Sequence, residues 1–196
     1  MHTQAIRAYH GTASDFDRFR TPGEKPGAEP NSMLGISLTF SPGDAAEYAR
    51  MAARDPGAGT PRVLVVDVEI KGAVGWIHHQ EHFLGLDPEN PCREEDPEEL
   101  MAAIREELLA EGCVAVLSCG GMFDDLLNDA LLVLSPEHCS IVGTLSISEA
   151  ETLGEDYYEK LGGDEPQPWE NLPSEIEVER RFFAPRFDFG IMPLSA

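Results

Sequence analysis

The chain has 196 residues, room for one domain with a sizeable core, and its 42% hydrophobic and 26% charged residues are those of a globular protein. Against 14 Lys and Arg stand 36 Asp and Glu, a formal charge of −22 that repels phosphate backbones and anionic lipid heads. That balance argues against a broad nucleic-acid or membrane footprint and leaves space for one small basic cleft, in which Arg7, Arg18 or Arg20 could meet a phosphate. No apolar run approaches ~18 residues, so no segment reads as a membrane span. Cys92, Cys113, Cys119 and Cys139 match no zinc spacing and read as reduced thiols. With no charged-then-apolar leader read at the N-terminus, the expectation is a cytoplasmic protein, or one delivered into a target cell without a conventional signal peptide.

In chain order, residues 5–10 read as a short strand, followed to Pro30 by a loop rich in Gly, Pro and charge. Ser32 to Phe40 is a second apolar run. Ser41-Pro42-Gly43-Asp44 supplies an N-cap, a first-turn proline and an acid three residues on, which predicts a helix start. Ala45, Tyr48, Ala49 and Ala52 share one face of that helix, which aims Tyr48 at the core or at a pocket floor, and Asp55-Pro56-Gly57 ends it. Arg62 to Ile70 is the clearest strand, with Leu64, Val66, Val68 and Ile70 on one face and Asp67 and Glu69 on the other.

Asp96-Pro97-Glu98-Glu99 opens a second helix, with Leu100, Ile104 and Leu108 as its stripe and Gly112 as its stop. Cys113 to Leu117 and Leu131 to Leu134 read as two more strands, separated by Gly120-Gly121 and an acidic segment. From Glu149 the chain turns polar and acidic and is broken by prolines. The division expected is therefore 1–148 as the folded domain and 149–196 as a segment wrapped on it or partly disordered, pinned by Trp169 and by Phe182, Phe183, Phe187 and Phe189.

The densest chemistry lies before Ile70. Ala8-Tyr9-His10-Gly11-Thr12 puts a ring N–H and an unhindered backbone edge at the end of a strand, suited to a flat polar ligand. Gly35-Ile36-Ser37-Leu38-Thr39, running into Ala45-Ala46-Glu47-Tyr48-Ala49, adds a wall and an aromatic surface. On these residues the chain resembles the ADP-ribosyltransferase superfamily, in particular the His-Tyr-Glu group of diphtheria-toxin-like and poly(ADP-ribose)-polymerase-like enzymes, over roughly residues 5–143. The resemblance implies an α+β fold with a split sheet and flanking helices. It implies NAD as substrate and transfer of ADP-ribose to a macromolecular target, as in toxin, effector or phage-type members, with NAD hydrolysis as the same step onto water.

By the same resemblance, His10 would bond the adenosine ribose, the Gly11 backbone would hold the nicotinamide amide, and Thr12 completes the His-Gly-Thr form. Gly35 and Tyr48 take the polymerase-type spacing, with Tyr48 against the nicotinamide; a core tyrosine is the other reading of that residue. Ser37 stands where the family has its first tyrosine, a lost stack of ~0.5–1.5 kcal/mol. For the family's catalytic glutamate two alignments stand. Matching Asn128-Asp129 to Asn-Glu selects Asp129, whereas counting back from Ser135-Pro136-Glu137-His138 selects Ala130. One residue of slip reverses the face of the strand. A carboxylate beside the ribose would stabilise the oxocarbenium-like charge that develops when the nicotinamide bond breaks, which Asp129 can do and Ala130 cannot. Asp124 and Asp125 are further acids nearby.

Two readings compete. A degenerate member of the fold would bind NAD, a nucleotide or a protein partner without turnover. His78-His79-Gln80-Glu81-His82 contains His-x-x-Glu-His, an inverzincin metallopeptidase pattern with Glu159 as a third ligand. Gly72, Gly75, Gly85 and Pro88 deny that segment the helix such ligands need, so no metal site is expected.

Overall fold

The computed structural model describes residues 4–24, 31–78, 97–119, 129–160 and 178–179. In chain order its elements are β1 (Gln4–Thr12), α1 (Asn31–Leu34), β2 (Ile36–Thr39), α2 (Pro42–Ala52), β3 (Arg62–Ile70), β4 (Ala73–His78), α3 (Pro97–Ala110), β5 (Cys113–Cys119), β6 (Asp129–Val133), β7 (Cys139–Leu145), α4 (Ile147–Lys160) and β8 (Val178–Glu179). The strands form one mixed sheet in the order β7-β3-β1-β2-β6-β5-β4-β8. β4 runs parallel to β5 and β8, and the other pairs are antiparallel.

β1 is paired with β3 along its whole length, Gln4↔Ile70 through Thr12↔Arg62. Toward β2 it shares a single register pair, Tyr9↔Thr39. The sheet is therefore split between β1 and β2 into a β7-β3-β1 half and a β2-β6-β5-β4-β8 half. This is the α+β, split-sheet architecture with flanking helices that the sequence implied.

Period-2 alternation assigns the faces, because residues directly opposite in adjacent strands lie on the same side. Ile6, Ala8, Ile36, Leu38, Leu64, Val66, Val68, Ile70, Leu131 and Val133 belong to one buried cluster on one face. The other face carries two smaller clusters. Leu34, Met101, Leu108, Val116, Leu132 and Leu134 join α1 and α3 to β2, β5 and β6. Ala45, Ala46, Val63 and Ala150, with Tyr9, Leu145 and Ile147, join α2 and α4 to β1, β3 and β7. Each half of the sheet thus has its own pair of helices.

α2 starts as its sequence dictates. Ser41 Oγ accepts from the Asp44 N–H at 3.2 Å, and Pro42 occupies the first turn. Its buried line is Ala45, Ala46 and Ala49, while Tyr48 lies on the flank and is 39% exposed. This corrects the aim of Tyr48 at the core. α2 crosses the sheet closely over Gly11, at Ala45 and Ala49.

Other expectations shift as well. The apolar run Ser32 to Phe40 divides at Gly35 into a helical turn and a strand. The stripe of α3 includes fully buried Met101 beside Leu108, with Ile104 partly buried. β4 and β7 were not anticipated. Glu149 opens no extended wrap, for residues 147–160 are helical across the boundary at 148/149. The cause is a capping box: Ser146 Oγ accepts from the Glu149 N–H at 3.3 Å, and the Glu149 carboxylate accepts from the Ser146 N–H at 2.8 Å. An ion pair between Arg50 and Glu151 then ties α4 to α2. Trp169 and the four C-terminal phenylalanines lie outside the described residues.

Candidate functional site at the seam of the sheet

The split between β1 and β2 leaves main-chain groups that a continuous ladder would pair. His10 fills part of that gap: its Nδ1–H donates to the Ser37 carbonyl at 2.9 Å. A carbonyl can only accept, so the bond fixes the proton on Nδ1 and leaves Nε2 as a hydrogen-bond acceptor. Burial pushes the imidazole below its ordinary 6.5, partly offset by the bond to Ser37, so the ring is neutral at pH 7. Phe16 and Phe19, on the loop after β1, meet the ring edge-on with centroids 6.0 and 5.2 Å away. The site therefore offers a rigid, uncharged imidazole with one lone pair free to receive a hydroxyl.

The neutral ring couples to stability with a definite sign. Because the folded-state value lies below 6.5, the unfolded chain binds more protons between the two values, and stability rises with pH there. The contribution is complete above about 6.5 and is lost as pH falls through the folded value. Thermal melts from about pH 7.5 down to about pH 5 should show wild type losing stability more steeply than His10→Gln. Parallel losses would contradict a neutral, half-buried His10.

Gly11 is the point of closest approach between sheet and helix. A Cβ there would fall inside the Ala45 carbonyl oxygen, 2.6 Å from the Ala49 nitrogen and 2.9 Å from Tyr48 Cβ. The absence of a side chain sets Tyr48 beside the end of β1. Burial, reinforced by Asp44, raises the Tyr48 hydroxyl above its usual range and keeps it protonated. Thr12 is buried and its Oγ1 accepts from the Ser14 N–H at 3.0 Å, turning the chain out of β1. Gly35 lies against β6, where a Cβ would stand 3.1 Å from the Val133 carbonyl oxygen. Ser37 exposes its side chain and contributes its carbonyl to His10.

Strand register orders the residues around the seam. Tyr9 opposite Thr39 places His10 at the parity of Leu38, and Leu38 pairs with Leu131. Asp129 opens β6 opposite Cys119. Ala130 pairs with Thr39. Thus His10 falls on one side of the seam, and Ser37 and the helix bearing Tyr48 on the other. Asp124 and Asp125 lie outside the described residues.

Of the three arginines considered for phosphate, Arg7 is engaged: its Nε donates to Asp67 at 2.6 Å, from the strand position directly opposite. Arg18 and Arg20 are exposed on the loop that carries Phe16 and Phe19.

The metallopeptidase pattern lacks its helix at the first ligand, because His78 ends β4. His79 to His82 lie outside the described residues, while Glu159 is exposed on α4. Among the described residues no three potential ligands cluster, and no helix is long and apolar enough to cross a membrane.

No family model matches this chain, and no curated protein matches it significantly. A solved structure, the MbcT-MbcA toxin-antitoxin complex of M. tuberculosis, is similar with a TM-score of 0.48 and 13% identity, over 78% of this chain and 91% of that chain.

Proposed function

We propose that this chain is an NAD-dependent ADP-ribosyltransferase of the toxin, effector or phage type, acting on a macromolecular target, with water as a second acceptor. The observation that carries the reading is the neutral His10, held through Nδ1 by the Ser37 carbonyl at the open seam, with Nε2 left to accept from a ribose hydroxyl. NAD would lie across the end of the seam, its adenosine ribose at His10, its nicotinamide amide on the Gly11 backbone and its nicotinamide ring against Tyr48. Thr12 and Gly35 would shape the walls, and Ser37 would position His10.

In the reaction, the bond between the ribose C1′ and the nicotinamide nitrogen breaks, its electron pair leaves with nicotinamide, and the acceptor bonds C1′. Positive charge on the ribose peaks between these events, and the Asp129 carboxylate would stabilise it. The match of Asn128-Asp129 to the family's Asn-Glu supports this choice over Ala130, which would leave the site a binder of NAD, a nucleotide or a protein. The partners implied are NAD and a protein acceptor or inhibitor.

Calorimetric titration of NAD into wild type and His10→Ala tests the pocket. Loss of one buried hydrogen-bond partner should weaken binding by ~1–3 kcal/mol. Equal affinity in the folded variant would remove His10 from the NAD site.

A further inference from the structure

We propose that the segment 13–24 after β1 is a diphosphate-binding element in which Arg18 and Arg20 meet the pyrophosphate of the nucleotide, an inference that rests on the NAD reading for its full ligand. Cations are scarce in this chain, and most of those described are committed. Arg7 is paired with Asp67, Arg50 with Glu151, Arg62 with Asp15, Lys71 with Glu69 and Arg105 with Glu106. Among the described residues, Arg18, Arg20 and Arg54 are exposed without such a carboxylate. Two of these three stand two residues apart on the loop whose Phe16 and Phe19 touch His10.

The loop is also held in place. The Arg62 guanidinium bonds the Ser14 carbonyl at 3.1 Å and Asp15 at 2.7 Å, and the Gly59 N–H donates to the Ala13 carbonyl at 2.9 Å. Phe16 and Phe19 are half-buried against the His10 ring and against each other, at 5.4 Å between centroids. Arg18 and Arg20 therefore project from an anchored segment beside the ring proposed to bind the ribose. In a nucleoside diphosphate the phosphates are one ester bond from that ribose, and the segment bearing the two arginines adjoins the His10 ring through Phe16 and Phe19. A guanidinium fork suits phosphate oxygens, and against a charge of −22 two local cations supply the attraction that the rest of the surface denies an anion. Asp17, exposed between them and Phe16, opposes that attraction.

The probes are ADP, and adenosine as its phosphate-free counterpart, titrated calorimetrically into the full chain. ADP should bind wild type more tightly than adenosine. Arg18→Gln and Arg20→Gln should each weaken ADP about tenfold and leave adenosine unchanged, the size expected for losing a hydrogen bond to a charged group. Asp17→Asn should tighten ADP. Arg54→Gln, which changes net charge equally at the turn after α2, should change neither ligand. The proposal is overturned if wild type binds no ADP, if both arginine variants bind it as wild type does, if Arg54→Gln weakens it as much, or if adenosine is lost in parallel. NAD titrations separate the two claims. NAD that fails to bind while ADP behaves as expected would sink the transferase reading and keep the subsite; NAD that binds wild type and both arginine variants equally would sink the subsite alone.

Discussion

Gly11→Ala should destabilise the fold by about 3 kcal/mol, the upper end of the cost of overpacking, lowering the melting temperature by roughly 6–12 °C for a chain of this size. The new methyl would occupy the space of the Ala45 carbonyl oxygen and press on the Ala49 nitrogen. These are backbone atoms of a packed helix, which cannot rotate aside, so all of α2 must lift from β1. The lift would carry Tyr48 away from the end of the strand, and NAD affinity should fall with stability. Gly57→Ala is the control. Its φ of 84° strains any L side chain, but no atom lies within 4 Å of the added carbon, so a loss of only ~1 kcal/mol is expected. Similar melting temperatures for the two variants would contradict the close approach at Gly11.

The second large effect is on rate. Asp129→Asn keeps the size of the side chain and removes its charge, so NAD should still bind while nicotinamide release falls by about 10²–10³, the usual effect of removing one electrostatic stabiliser. A folded variant that turns over as wild type does would take the catalytic role from Asp129. Loss of binding and turnover together would make the residue part of the NAD cradle instead.

How much of this was legible in the sequence follows from which signals are local. The start of α2 was readable because Ser41, Pro42 and Asp44 act within one turn, and β3 was readable because Leu64, Val66, Val68 and Ile70 alternate without interruption. β4 was obscured by Gly72 and Gly75, which read as breakers although its pairing with β5 holds it extended. β7 half-buries Cys139, Ile141, Gly143 and Leu145, but Val142 among the exposed positions and Gly143 among the covered ones blur the alternation. α4 carried a readable capping box, masked by the acidic composition that follows.

At the candidate site the separation between local and long-range information is sharper. His10-Gly11 and Tyr48 can be picked out by type and spacing. The bond from His10 to Ser37, 27 residues away, depends on how two strands part. Arg7 could not be told from Arg18 and Arg20 until β1 was set against β3, where Asp67 falls opposite Arg7. The strand positions of Asp129 and Ala130 are set by register with β2 and β5, a property of pairing that no local pattern encodes.

The most direct measurement is release of free nicotinamide from NAD carrying a labelled nicotinamide ring, incubated with purified wild-type chain and with Asp129→Asn. The account expects wild type to release nicotinamide in excess over protein, with ADP-ribose recovered on water or on an added acceptor, and the variant to release ~10²–10³-fold less. Wild type that releases none would contradict the transferase assignment.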